Sequence, residues 1–278
     1  MRAEHAAGVR HFELGSFLPA DRFPQFADLR DLLDAAASMK AMHKIVLALN
    51  ERGIDDAIAS DTDEITCVVS ATDEHSLANS RRTRQQAVAL VRKAAEAARS
   101  SEHRPITNAG IAMAFGCSIA GQVDQSDVLR LAETCMAAGA DMVSIADTVG
   151  YAGPRQVASL CDEMVKLCDD RPFCVHLHDT RGTGIANAAA ALDHGARVLD
   201  GALGGLGGCP FAPGATGNVV FEDLVYLCER MGFETGIDLD RLSEARGIAK
   251  CALPDEPFFG ALARSGPPLN LDWRAGAA

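Results

Sequence analysis

Short apolar runs alternate with stretches of helical periodicity along most of the chain. The runs at 64–70 and 142–146 have the length and β-branched content of buried strands. The stretches 84–100 and 154–168 instead repeat their apolar residues at the three- and four-residue spacing of a helix. We count seven strand-then-helix units, which recur at intervals of about 25 to 35 residues. This order predicts an α/β protein with a parallel sheet. We also predict a polar loop at 71–82.

Two α/β architectures fit this alternation, a (β/α)8 TIM barrel and a doubly wound open sheet. A chain of 278 residues suits a single barrel domain, for which about 250 residues are typical. No Gly-x-Gly-x-x-Gly motif follows an early strand, which disfavours the open dinucleotide-binding sheet. Polar residues recur where the predicted strands end: Glu13, Asn50, Asp147, His176, His178 and Asp200. A barrel gathers its active site at that end. We therefore predict one TIM-barrel domain over residues 1–278, with a helical C-terminal extension from about residue 240.

Composition excludes several classes of partner. The net charge of −12 argues against nucleic acid, and an aromatic content of 5% argues against a base-stacking surface. No apolar run is long enough to span a membrane, and no signal-peptide pattern is present. The nine cysteines form no Cys-x-x-Cys pairs and suggest no disulfide framework. We therefore expect a cytoplasmic enzyme with no membrane or nucleic-acid partner.

The most informative short motif is His176-Leu177-His178, at the end of a predicted buried strand. Residues two apart on a strand point to the same side, so both imidazoles are expected to face one cavity. Two neutral imidazole nitrogens can bind a divalent ion and leave other positions open for oxygen ligands. The alternative interpretation is a pair of ordinary hydrogen-bonded histidines.

A second informative stretch is the Gly-rich segment 204–218, which follows the last predicted strand. We expect it to lie over the mouth of the barrel and to change conformation, since glycine is conformationally permissive. Cys209 within it is better placed for acid–base chemistry than for core packing. The alternative is a flexible surface loop with an incidental cysteine. Asn218, at the far end, is expected to turn its amide oxygen toward a metal.

Four segments together point to one family. They are Gly205-Leu206-Gly207-Gly208-Cys209-Pro210, Val175-His176-Leu177-His178-Asp179-Thr180, Asp147-Thr148-Val149-Gly150 and Glu13-Leu14-Gly15-Ser16-Phe17. Over nearly its whole length the chain resembles 3-hydroxy-3-methylglutaryl-CoA lyase and related metal-dependent TIM-barrel acyl-CoA lyases. The Gly-Gly-Cys-Pro loop is the most specific of the four segments, and the last two would be weak signals alone.

The resemblance implies roles for particular residues. His176, His178 and Asn218 correspond to metal ligands, and Cys209 corresponds to a loop cysteine that shuttles a proton. Glu13 and Asp147 correspond to polar active-site residues. Asn79, Arg81 and Arg82 lie where family members meet coenzyme A, although the two arginines fit a solvated basic patch equally well.

The resemblance also implies an activity. With Mg2+ or Mn2+ bound, such an enzyme breaks a carbon–carbon bond of 3-hydroxy-3-methylglutaryl-CoA in retro-aldol fashion, as in leucine degradation. The products are acetoacetate and acetyl-CoA. One alternative is a lyase for another branched hydroxyacyl-CoA, such as citramalyl-CoA. The same chemistry run toward condensation is less favoured, because the Gly-rich loop resembles that of the lyases. A non-catalytic barrel that binds acyl-CoA or another subunit is the alternative from a different class.

One family feature has no counterpart in this sequence. Family members carry an Arg-Asp-Gly segment after the first strand, in which the Asp is a metal ligand and the Arg assists catalysis. No residue here can be assigned either role, and we expect a barrel that lacks its first strand. Either Met1 is a downstream start within a longer gene product, or the chain is a weak or inactive homologue. Unpaired strand edges favour a homo-oligomer, either a dimer or a tetramer.

Overall fold

The computed structural model describes residues 1–207 and 217–274. Strands and helices alternate along these residues. The strands are β1 (His11–Ser16), β2 (His43–Leu47), β3 (Glu64–Ser70), β4 (Ile106–Ala112), β5 (Met142–Asp147), β6 (Phe173–Leu177) and β7 (Val198–Asp200). The helices are α1 (Arg2–Ala6), α2 (Leu29–Ala37), α3 (Glu51–Ile58), α4 (Asp73–Ser80), α5 (Arg84–Ser100), α6 (Gln125–Ala137), α7 (Pro154–Cys168), α8 (Gly184–Asp193), α9 (Phe221–Arg230), α10 (Leu239–Ala252) and α11 (Leu262–Ser265).

The strands form a sheet in which neighbours follow chain order from β1 to β7. The pairs from β1 to β5 are parallel, and β3 and β4 stay in register from Glu64 opposite Ile106 to Ser70 opposite Ala112. Parallel neighbours need a crossover connection, which the intervening helices supply. The parallel α/β prediction is therefore confirmed.

The chain divides into two compact units. One unit contains Arg10–Ala146 and Lys166–Cys174, and there α5 packs against β3 and β4. Ile65, Val69 and Ile111 are fully buried in its core. Removing such side chains from water is the main contribution to the stability of the unit.

The other unit contains Met1–Val9, Asp147–Val165 and Val175–Ala278. Within it α1 packs against α10, and α8 packs against α9. The unit holds the residues that follow β5, His176 in β6, His178 just after β6 and the start of the Gly-rich segment.

The structure confirms the predicted bounds of β3 and α7, and it corrects the predicted polar loop at 71–82. Most of that segment is helix α4. Its N-cap Thr72 accepts a hydrogen bond from the backbone N–H of His75, and Arg81, at φ +56°, ends it. Thr83 is the N-cap of α5 and forms a full capping box with Gln86. None of the described helices combines the length and the apolar composition that crossing a membrane requires.

Candidate active site

Two imidazoles meet at the carboxyl end of β6. The Nε2 atoms of His176 and His178 lie 3.1 Å apart, and the ring centroids are 5.1 Å apart. Leu177 between them is 1% exposed and packs in the core, as strand alternation predicts. The two ring nitrogens therefore face each other at a spacing that also suits two ligands of one ion.

Asp200, the last residue of β7, orients the first of these rings. Its Oδ1 lies 2.8 Å from Nδ1 of His176. An ionised carboxylate only accepts hydrogen bonds, so Nδ1 of His176 carries the proton. Nε2 then presents its lone pair toward His178. This is the tautomer that a metal-ligating histidine needs.

His178 is kept neutral by its surroundings. Its side chain is almost fully buried, and burial is the main cause that lowers its pKa to about 4, with a smaller lowering effect from His176. Asp200 opposes this shift by raising the pKa. Among the described residues, no group hydrogen-bonds to the buried Nδ1 of His178. A neutral imidazole is the form of histidine that binds a cation.

Asn218 lies opposite His178 in an antiparallel bridge. The main chain around it is fixed by hydrogen bonds from Asp179 N–H to the Gly217 carbonyl, at 3.2 Å, and from Val219 N–H to the Leu177 carbonyl, at 2.9 Å. Its Nδ2 donates to the carbonyl of Leu206 at 2.9 Å. That bond fixes which way the amide points and leaves a buried Oδ1 with no hydrogen-bond partner in the described part of the chain.

These groups fit a divalent ion. Unsatisfied buried polar atoms are costly, so the orphaned Oδ1 of Asn218 needs an explanation such as an ion or a water. Two imidazoles and one amide oxygen are a mixed nitrogen and oxygen set, which can bind a divalent metal ion. Within residues 1–207 and 217–274 there is no cluster of three or more His, Cys, Asp or Glu side chains that could hold a metal. The candidate set therefore depends on the amide of Asn218.

Asp147 ends β5 and is 1% exposed. Its carboxylate accepts hydrogen bonds from the backbone N–H groups of Tyr151, at 2.8 Å, and Ala152, at 3.1 Å. Burial raises the pKa of Asp147, and this effect outweighs the lowering by those two bonds and by the charges of Arg181 and His176. Asp147 thus organises the turn after β5 and lies within electrostatic range of His176.

The remaining predicted site residues belong to the other compact unit or lie outside the described residues. Glu13 is exposed on β1, beside a bulge in its pairing with β2. Asn79 is half-buried on α4, and Arg81 is exposed at the end of that helix. Arg82 donates through Nη1 to the carbonyls of Leu49 and Ser80, at 3.0 and 3.3 Å. Those four residues belong to the unit that contains β1 to β4. Cys209 lies outside the described residues.

Asn50, one of the polar residues after a predicted strand, is a helix cap. Its Oδ1 accepts from the backbone N–H of Gly53 at 2.8 Å, at the start of α3. A local hydrogen bond of this kind is a structural use of the side chain.

The sequence analysis assigned no role to Arg181. Its Nη1 donates to the carbonyls of Val149 and Gly150, at 2.8 and 3.3 Å, and its guanidinium lies 4.6 Å from the centroid of the Tyr151 ring. The available signal was its position, three residues after His178. Its partners are about 30 residues earlier in the chain, so spacing alone did not reveal them.

Comparison with solved structures fixes the class of protein. The structure of a 3-hydroxy-3-methylglutaryl-CoA lyase from Acinetobacter baumannii, in complex with coenzyme A and 3-methylmalate, matches with a TM-score of 0.89. The match has 34% sequence identity and covers 97% of this chain and 87% of that one. The fold is therefore the predicted α/β TIM-barrel type. The protein is a carbon–carbon lyase of the acyl-CoA lyase type.

The sequence comparisons identify the family. The sequence model of the HMGL-like family matches residues 1–248, and the chain belongs to that family. An (R)-citramalyl-CoA lyase of Chloroflexus aurantiacus is 37% identical over 272 residues, covering 94% of this chain and 85% of the relative. The hydroxymethylglutaryl-CoA lyase YngG of Bacillus subtilis is 32% identical over 238 residues, covering 86% and 79%.

Proposed function

We propose that this protein cleaves 3-hydroxy-3-methylglutaryl-CoA, or a close 3-hydroxyacyl-CoA, to acetyl-CoA and acetoacetate. The observation that carries the proposal is the pair of facing Nε2 atoms of His176 and His178, together with Asn218, whose Oδ1 is unsatisfied and whose main chain is bridged to His178. Family membership supports the reaction class. The proposal goes beyond the reaction class by naming the acyl group of the substrate.

His176, His178 and Asn218 would hold the ion, Mg2+ or Mn2+. When bound, such an ion polarises hydroxyl and carbonyl oxygens and stabilises the negative charge that develops as the carbon–carbon bond breaks. The chain prepares the ligands for this. Asp200 fixes the tautomer of His176, burial keeps His178 unprotonated, and the Leu206 carbonyl fixes the amide of Asn218.

The remaining steps move protons. A base removes the proton of the tertiary hydroxyl. The electron pair of the O–H bond then forms the new carbonyl of acetoacetate as the adjacent carbon–carbon bond breaks. The electron pair of that bond becomes the enolate of acetyl-CoA. In this proposal the Cys209 thiol then protonates the enolate carbon, and Glu13 and Asp147 line the site as polar residues. Asn79, Arg81 and Arg82 bind the coenzyme A portion.

A second substrate has specific support. The citramalyl-CoA lyase relative shares 37% identity over 94% of this chain. Citramalyl-CoA also carries a hydroxyl on a branched carbon, and retro-aldol cleavage would give pyruvate and acetyl-CoA. Cleavage of either ester would therefore use the same residues of the protein and release acetyl-CoA. They differ in the distance between the carbinol carbon and the free carboxylate.

The proposal extends to the setting of the enzyme. We assign the reaction to the cytoplasm, in keeping with nine cysteines that form no Cys-x-x-Cys pairs. We also assign it to a homo-oligomer. Cell fractionation and sedimentation analysis test these two statements independently of the chemistry.

The test measures release of acetyl-CoA from each of the two esters, with Mn2+ and with excess chelator. We expect Mn2+-dependent release from one ester and its loss in His176→Ala. The matched control is His194→Ala, because His194 also pairs through Nδ1 with an aspartate, Asp162, at 2.8 Å. Metal-dependent turnover in His176→Ala would contradict the ligand set.

A further variant addresses the acid. Cys209→Ser is expected to keep Mn2+ affinity and to lower turnover, because a hydroxyl is a far weaker acid than a thiol. An unchanged rate would remove Cys209 from the mechanism. Absence of acetyl-CoA release from both esters by the unmodified chain would overturn the proposed function.

A further inference from the structure

Arg181 bridges two loops at the candidate site. It follows the His-x-His strand, and its Nη1 reaches the carbonyls of Val149 and Gly150 in the turn after β5. The two loops also touch directly, because a Cβ added to Gly150, at φ +64°, would lie 2.8 Å from Cβ of Thr180. The guanidinium is therefore held in place at the carboxyl ends of β5 and β6.

The same turn is held from its other side by Asp147. That carboxylate accepts from the N–H groups of Tyr151 and Ala152, while Arg181 donates to the carbonyls just before them. The charges of Arg181 and of His176 both act on Asp147. The cation thus lies within electrostatic range of the carboxylate that also interacts with the first histidine.

The guanidinium keeps donor capacity for a ligand. Of its five N–H donors, those on Nη1 bond to the two carbonyls, and one face lies over the Tyr151 ring at 4.6 Å. Both Arg181 and Tyr151 are solvent-exposed. An immobilised, exposed guanidinium matches the planar geometry of a carboxylate, and little side-chain entropy remains to be lost on binding.

We propose that Arg181 binds the free carboxylate of the acyl group, so that this enzyme selects acyl-CoA esters that carry a second acid group. The inference rests on the proposed function and deepens it by naming the residue that recognises the free carboxylate. Both candidate esters carry such a carboxylate. Arg181 supplies a fixed cation for it in the same loop as the second histidine.

Two coenzyme A esters isolate this contact. 3-Hydroxyglutaryl-CoA and 3-hydroxybutyryl-CoA differ only by the terminal carboxylate. Their dissociation constants are to be measured by calorimetry in the presence of Mn2+. We expect the unmodified protein to bind the carboxylate ester at least about 10-fold more tightly, as a charge-assisted hydrogen bond provides. Arg181→Gln should remove this preference, and Arg181→Lys should keep part of it.

Arg197 provides the matched control. Its Nη1 also donates to two backbone carbonyls, Leu192 at 2.9 Å and Ala196 at 2.6 Å, and its guanidinium lies 5.1 Å from the Phe233 ring. Arg197→Gln therefore loses the same kinds of structural contact. It should keep the full preference for the carboxylate ester.

The outcomes test the role of Arg181 separately from the proposed function. Equal affinity of the unmodified protein for both esters would overturn the role of Arg181, as would a preference that survives in Arg181→Gln or disappears in Arg197→Gln. None of these results depends on turnover. Absence of acetyl-CoA release would instead overturn the proposed function, while a preference that depends on Arg181 would stand as a binding property.

Discussion

The carboxylate of Asp200 lies 2.8 Å from Nδ1 of His176, while Nε2 of the same ring faces His178. Because the carboxylate can only accept, it fixes the tautomer of His176 and the direction of its lone pair. Asp200 therefore acts on the candidate metal site through another residue. Its own side chain is about half exposed, and the pair depends on orientation more than on burial.

Asp200→Asn should weaken metal binding without removing a ligand. The amide can donate to Nδ1 as readily as it accepts, so the tautomer is no longer fixed. We expect Mn2+ affinity to fall about 10- to 100-fold, the usual effect of losing such a partner. Calorimetric titration with Mn2+ measures this. Asp162→Asn, which alters the equivalent pair with His194, is the control. Equal Mn2+ affinities in all three proteins would refute the positioning role.

Gly207→Ala should displace the amide of Asn218. A Cβ at Gly207 would lie 2.7 Å from Nδ2 of Asn218, and the residue adopts φ +91°. We expect weaker Mn2+ binding together with a loss of stability of about 1 kcal/mol from the strained backbone. Gly232→Ala separates the two effects, since Gly232 has φ +87° and no atom within 4 Å of its added Cβ. That control should lose stability alone. Full Mn2+ affinity in Gly207→Ala would show that the amide of Asn218 is not a ligand.

Arg246→Met should destabilise the protein by leaving a buried charge. Glu222 is 3% exposed, accepts from Arg246 Nη1 at 2.7 Å and from the backbone N–H of Gly204, and has no other cation among its described contacts. We expect a loss of about 3–5 kcal/mol in the free energy of unfolding, measured in urea. The double variant Glu222→Gln/Arg246→Met should recover most of it. Arg30→Ala breaks the exposed pair with Asp56 and should cost at most about 1 kcal/mol. A loss in Arg246→Met no larger than that of Arg30→Ala would argue against an uncompensated charge.

His75 should make stability depend on pH. It is 2% exposed, its Nδ1 lies 2.8 Å from Ser70 Oγ, and burial lowers its pKa below 6.5. The unfolded chain therefore takes up a proton, at a pH just below 6.5, that the folded chain excludes. The contribution of neutral His75 to the free energy of unfolding is fully present above pH 6.5. It falls as the pH drops below 6.5, by at most about 1.4 kcal/mol per pH unit.

His75→Asn keeps a polar group toward Ser70 and removes the titration. Urea unfolding at pH 7.5, 6.5 and 5.5 should show a smaller loss on acidification than in the unmodified protein. The control is His103→Asn, at an exposed position. The level of stability will change in His75→Asn for packing reasons, so only the slope is diagnostic. A slope equal to that of the unmodified protein would exclude His75 as its source.

Local patterns predicted most elements, while side-chain partners far apart in the chain were not predictable. Helix α7 has a long amphipathic repeat that starts at Pro154, and both of its ends were predicted. Helix α4 was missed because its residues are mostly polar, with Leu77 exposed, although Thr72 followed by two acidic residues was a usable start signal. The His-x-His pair was predictable because strand alternation places both rings. The contact of Asp200 with His176 spans 24 residues and depends on how β6 and β7 pair.

The main chain on both sides of the Gly-rich stretch is fastened to the fold. Val219 N–H donates to Leu177 O and Ala202 N–H donates to Val219 O, and a Cβ on Gly217 would overlap the carbonyl oxygen of Gly205. Gly205 and Gly217, near the two ends of the Gly-rich segment, are thus in contact. Asn218 lies next to Gly217, in the main chain that these hydrogen bonds hold. Insertions, deletions and exchanges between those ends need not disturb the candidate ligands. Retention of the ion and the identity of the residues between those ends, Cys209 among them, are therefore two traits on which selection can act independently.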